Sequence, residues 1–109
     1  GNSVVEQVEK QLNKLIEVIK VRTIPEDKLI GRELVLLKVN ATNKTRQDIM
    51  TICDIMGAKV SDISPNSMTL ELSDTPDRID TFEAMLRPFS ILEVVRTGVI
   101  ALQKGGGKI

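Results

Sequence analysis

Arg32-Glu33-Leu34-Val35-Leu36-Leu37-Lys38-Val39-Asn40 is apolar at both parities and broken only by Lys38. A half-buried strand alternates, whereas a run that is apolar on both sides is expected of a strand covered on both faces and central in its sheet. This run is therefore placed at the middle of the sheet. Ile91-Leu92-Glu93-Val94-Val95-Arg96-Thr97-Gly98 closes the same unit, a second β-rich run reached after helix signals that end at Pro88. Between the two lie a helix, a hairpin and another helix.

The first helix is signalled by Thr45-Arg46-Gln47-Asp48, a capping-box pattern, and continued by the apolar stripe Ile49, Ile52, Cys53 and Met56. Gly57 is placed to end it as a left-handed C-cap. Ala58 to Ile63 and Met68 to Leu72 flank the turn-rich tetrad Ser64-Pro65-Asn66-Ser67, which predicts a hairpin. In its second arm Met68, Leu70 and Leu72 face one way and Thr69 and Glu71 the other. In its first arm Val60 and Ile63 fall on opposite parities, which predicts a bulge. Thr75-Pro76 has the form of an N-cap followed by proline at the first helical position, and Ile79, Phe82, Leu86 and Phe89 carry a helical stripe up to Pro88.

Strand, helix, hairpin, helix and strand in that order is the split βαβ arrangement, an α+β ferredoxin-like βαββαβ domain with a four-stranded antiparallel sheet and two helices on one face. Ahead of it, Ser3-Val4-Val5-Glu6 reads as a capping box, and Val5, Val8, Leu12 and Leu15 recur at helical spacing. The β-branched run Ile16 to Val21 reads as a strand, and Thr23 to Lys28 as a loop containing the breaker Pro25. This opening pair resembles the closing one: Val5, Val8 and Leu12 match Ile79, Phe82 and Leu86, and Ile16 to Lys20 match Leu92 to Arg96. Either residues 2–22 are the last helix and strand of an earlier βαββαβ domain, truncated at its N-terminus, or they are a plain extension packed on the main unit. The expected divisions are 1–22, a linker at 23–31, the main domain at 32–103 and a flexible tail at 104–109.

Composition narrows the function classes. A chain of 109 residues supports one compact domain with at most an appendage. Lys plus Arg and Asp plus Glu both number 15, so no global field draws it to nucleic acid or anionic lipid. No apolar run reaches membrane-spanning length and no leader pattern opens the chain, which points to a soluble intracellular protein, cytoplasmic or within an organelle. The single cysteine, Cys53, lies on a helical apolar stripe and reads as core. With no histidine, a zinc or copper site would rest on carboxylates alone, and no metal is expected.

Two stretches, Gln11 to Val21 and Arg32 to Ala41, closely resemble the small, regulatory subunit of acetolactate synthase, and Ala58 to Ser64 and Glu93 to Leu102 resemble that family's later strands. Four strings in the right order and spacing carry the resemblance, which covers nearly everything except the Gly-rich tail. It implies an N-terminal ACT domain that binds branched-chain amino acids across a subunit interface, followed by a C-terminal ferredoxin-like domain. This chain is expected to hold the second and only a helix-strand remnant of the first. The family's effector loop would lie before Gly1, so no effector-binding residue is carried over. The resemblance further implies a non-catalytic subunit that binds and activates a catalytic subunit, to which thiamine diphosphate, magnesium and FAD belong. It would contribute there to branched-chain amino-acid feedback control of valine, leucine and isoleucine biosynthesis. A homodimer is expected because ACT-type modules commonly pair and the strand Ile16 to Val21 has an edge that must be paired or shielded.

No cluster in the sequence is arranged for bond-making chemistry, and no catalytic, cofactor-binding or metal-binding residue is assigned. Arg32, Glu33, Arg96, Thr97 and Gly98, at the ends of the first and last strands, are the candidate interface residues. Adjacent charges at strand ends are more often solvated. Asp62 reads as a turn acceptor, since no second catalytic group is paired with it. An RNA-binding module of this fold would show aromatics on its central strands, and there is no Trp or Tyr. A small phosphate-ester hydrolase would need Asn43 and Arg46 to converge on a Gly-rich loop that is missing. Lys104-Gly105-Gly106-Gly107-Lys108 lacks P-loop spacing. The remaining alternative is a free-standing ferredoxin-like sensor that binds a small metabolite as a homodimer.

Overall fold

The computed structural model describes residues 4–13 and 16–106, with side chains from Thr23 onward apart from Glu26. Its elements in chain order are β1 (Val4–Asn13), β2 (Ile16–Pro25), a 3-10 turn (Glu26–Lys28), β3 (Leu29–Asn40), α1 (Arg46–Met56), β4 (Lys59–Ser64), β5 (Ser67–Asp74), α2 (Pro76–Leu86), a 3-10 turn (Arg87–Phe89), β6 (Ile91–Arg96) and β7 (Ile100–Gln103). They divide into two compact units, residues 1–31 with 101–109, and residues 32–100.

The second unit has the expected ferredoxin-like fold. Its strands run in the order β4-β5-β3-β6, every pairing antiparallel, with β3 at the interior. Val35, Leu37 and Val39 of β3 and Met68, Leu70 and Leu72 of β5 form one core cluster with Ile49, Cys53 and Met56 of α1 and Ile79, Phe82 and Leu86 of α2. Both helices therefore lie on one face. The reading of β3 as covered on both sides needs correction within this unit. Its odd residues are buried, but Leu36 is 42% exposed, and Lys38 bonds Glu93 at 3.1 Å beside it. Two helices suffice to cover one face of this sheet, and nothing within the unit covers the other.

Local signals act largely as the residue types dictate. Gly57 sits at φ 76°, and the Ala58 N–H donates to the Cys53 carbonyl at 2.8 Å, a Schellman closure that a Cβ at Gly57 would strain. Thr75 caps α2 by accepting from the Arg78 N–H at 3.4 Å, with Pro76 in the first turn. The capping box expected at Thr45 does not form. Its hydroxyl instead accepts from the Thr42 N–H at 2.9 Å, closing the turn that delivers the chain to α1. The bulge expected in the hairpin is present between Val60 and Asp62, and it brings Val60 opposite Leu70 and Ile63 opposite Met68, onto the helix-covered side.

The first unit differs from expectation. Val4–Asn13 is a strand, not the opening helix that the Ser3 capping box and the Val5, Val8, Leu12 spacing predict, so the helix-strand remnant is here a strand pair. Ser3 and Leu15, two supports of that reading, lie outside the described residues, as do Gly107 and Lys108 of the tail. β1 pairs β2 antiparallel along its whole length, from Val4 opposite Pro25 to Asn13 opposite Ile16. The β-branched run of β2 presents a row of peptide groups that must be paired, and a segment that pairs all of them outweighs a helical period of only two turns or so. The loop expected at 23–31 is also mostly ordered backbone, with β2 running to Pro25 and β3 starting at Leu29. β7, not foreseen as a strand of its own, pairs β3, and the Lys104 N–H donates to the Lys28 carbonyl at 2.8 Å.

Candidate functional site

The candidate interface residues lie at one end of the second unit, where β3 begins and β6 ends. β3 carries Glu33 on its helix-covered parity, and the register sets Val35 opposite Arg96, so the guanidinium reaches back along the same face. Nε at 2.9 Å and Nη2 of Arg96 both donate to Glu33 Oε1. Nη1 donates to Asp80 Oδ1 at 2.7 Å and to Glu83 Oε1 at 3.3 Å, both on α2. One cation therefore ties two strands and a helix together. Glu33 is only 6% exposed, so its carboxylate depends on this partner, and the bonds to Glu33 and Asp80 hold Arg96 still more firmly in its charged form. The solvated reading of the pair was wrong for Glu33. Asp80 and Glu83, three positions apart on α2, complete the cluster, and sequence reasoning passed over them because only the fold brings a helix to this strand end.

The other candidates have different roles. The Thr97 N–H donates to the Leu34 carbonyl at 3.0 Å, and its hydroxyl accepts from the Leu34 N–H at 3.1 Å and donates to the Gly98 carbonyl at 2.8 Å. Thr97 thus ends the pairing of β6 with β3. Gly98 turns the chain away at φ 82°, in open space. Arg32 is exposed, and its charge reaches Asp74 across the β3–β5 pair.

Asp74 closes β5 and opens α2. Although burial opposes its ionisation, the Arg78 Nε bond at 2.6 Å, the Thr75 N–H at 2.7 Å and the charges of Arg78 and Arg32 outweigh that and hold its carboxyl below the ordinary 3.8. A carboxyl with a depressed folded-state value adds stability above its unfolded value and loses it as pH falls through the folded one. Asp74→Asn is therefore expected to lower the melting temperature by a few degrees at pH 7 and to make no difference near pH 2, as read by thermal unfolding across that range. The effect stays below about 1 kcal/mol because the Arg78 partner is half exposed.

An open depression of about 450 Å³ at the start of α1 is lined by Thr42, Asn43, Lys44, Pro65 and Asn66. Arg46, which a phosphate site would recruit, instead donates through Nη2 to the Ser64 and Pro65 carbonyls at 2.5 and 2.7 Å and staples the hairpin turn to α1. Arg46 is therefore a structural clamp. Among the described residues no three His, Cys, Asp or Glu side chains converge as metal ligands, and no helix is long and apolar enough to cross a membrane.

The charged groups at this end are locked into structure, and an open sheet face lies beside them. A family model described as the small subunit of acetolactate synthase matches residues 32–105. The acetolactate synthase small subunit of Haemophilus influenzae is 42% identical over 101 residues, which are 92% of this chain and 62% of that protein. The chloroplastic small subunit 2 of Arabidopsis thaliana is 42% identical over 103 residues, 94% of this chain and 22% of that one. The crystal structure of the small subunit from Thermotoga maritima superposes with a TM-score of 0.73 at 26% identity, over 86% of this chain and 59% of that one. The chain thus spans about three-fifths of the length of several of the curated relatives it matches. By the extent and identity of these matches, it belongs to the family of acetolactate synthase small subunits.

Proposed function

We propose that this chain is the ferredoxin-like portion of a non-catalytic regulatory subunit that binds and activates the thiamine-diphosphate-dependent catalytic subunit of acetolactate synthase in the cytoplasm and takes part in its feedback control by branched-chain amino acids. The observation that carries the reading is the match of the family model across the second unit. Thiamine diphosphate, magnesium and FAD belong, in this reading, to the catalytic partner. The chain acts as a homodimer, and its contribution is a change in the population of catalytic-subunit conformations, limited by its differential affinity for them.

The test is the activity of purified catalytic subunit with and without this chain, each titrated with valine. The expected result is a rise in activity that valine does not reverse, because no effector-binding residue of the family is carried onto this chain. Valine inhibition that requires the chain would place the effector site among the residues described above. No change in activity, together with no binding in a pull-down, would refute the assignment of partner.

A further inference from the structure

Two turns of the second unit, Thr42 to Thr45 ahead of α1 and Ser64 to Ser67 between β4 and β5, form the walls of the depression of about 450 Å³ lined by Thr42, Asn43, Lys44, Pro65 and Asn66. That room falls within the roughly 300 to 1,000 Å³ common to small-molecule sites. The walls are fixed to one another. The Ala41 N–H donates to the Asn66 carbonyl at 2.9 Å, and Arg46 reaches across to the Ser64 and Pro65 carbonyls. The Thr42 carbonyl accepts from the Thr45 and Arg46 N–H groups at 3.1 and 3.0 Å, and the Thr42 N–H donates to the Thr45 hydroxyl at 2.9 Å. A ligand held here does not have to order the loops around it, and loop ordering is a main cost of binding.

Inside this frame the polar side chains divide into two sets. Arg46 and Thr45 are consumed in holding the walls together. The Asn43 and Asn66 carboxamides and the Lys44 ammonium, by contrast, bond to no described residue. None of the five lining side chains is acidic, so the depression offers an ammonium and two carboxamides with no carboxylate among them to compete for the donors.

We infer that this depression binds a small aliphatic carboxylic acid in its anionic form. The ligand's carboxylate takes the Lys44 ammonium and the carboxamide N–H donors of Asn43 and Asn66, and bonds to an ionised acceptor are the stronger kind. The carboxamide oxygens of the same two residues remain to accept from a hydroxyl or amino group on the adjacent carbon. The Pro65 ring meets a short alkyl chain. A phosphate dianion is less well served, because the second cation it would call on, Arg46, is locked on the hairpin carbonyls. The site lies within the second unit and does not depend on the catalytic partner proposed above.

The test is a titration of the full chain with lactate, followed by the amide chemical shifts, with inorganic phosphate as the competing anion. The expected result is a saturable change confined to Thr42, Asn43, Lys44, Asn66 and their neighbours, with a dissociation constant of about millimolar order. Lys44→Met should weaken it by about tenfold, as the loss of one charge-assisted bond would, with an unchanged far-ultraviolet spectrum and melting temperature. Asn66→Ala should weaken it less, and Lys59→Met, which removes an exposed lysine on β4, should leave it as it was. Four results would overturn the site: no saturable change, changes scattered over the lysines of the surface, a Lys44→Met variant that binds lactate as the parent does, or phosphate binding as tightly as lactate.

Discussion

Phe82→Ala is expected to cost about 4 kcal/mol of unfolding free energy and to lower the melting midpoint by roughly 15 °C or more. Phe82, on α2, is fully buried and is the largest side chain in the core cluster, which also holds residues of β3, β5 and α1. Removing its ring forfeits the transfer energy of the side chain and leaves a cavity that a strand-backed core closes only in part. Phe82→Leu keeps most of the volume and should cost less than half as much. Chemical denaturation of both variants checks this. A loss below about 1 kcal/mol for alanine would mean that the core is not packed as described.

Arg96→Met is expected to be nearly as damaging, at about 3 kcal/mol, although Arg96 is itself partly exposed. The cost arises at Glu33, whose nearly buried carboxylate would lose the Arg96 cation bonded to it and would face Asp80 and Glu83 unshielded. The pair as a whole is not expected to be worth that much. Replacing both members with apolar residues of similar size, Glu33→Leu with Arg96→Met, should recover most of the loss, because taking two charges out of water costs nearly what their attraction returns. A double-mutant cycle by urea unfolding measures the coupling. If the double variant is as unstable as the single one, the cluster contributes packing rather than charge.

The α+β order of the second unit could be read from the sequence because its signals are local and agree. Gly57, Thr75-Pro76 and the Ser64 to Ser67 turn each admit few backbone conformations, and the stripes of α1 and α2 have one apolar side each. Even the bulge was legible, from Val60 and Ile63 falling out of phase. The interface candidates were legible only as positions. Strand ends can be located from pattern, but whether Glu33 is solvated depends on what the fold sets above it.

Two errors share a cause. Apolarity on both sides of β3 suggests cover on both faces, and the period of Val5, Val8 and Leu12 suggests a helix. In each case the sequence determined that the segment has apolar surface to bury and an approximate spacing for it, because that is a property of the chain alone. Which partner buries that surface is decided by the residues that arrive from elsewhere. For β3 they are two helices on one side and none on the other. For Val4–Asn13 the backbone pairing with β2 decides the conformation, its ten paired residues fixing a strand where local spacing favoured a helix. Tertiary structure likewise decided the Arg96 cluster, since Glu33, Asp80, Glu83 and Arg96 come from three elements and no local rule brings them together.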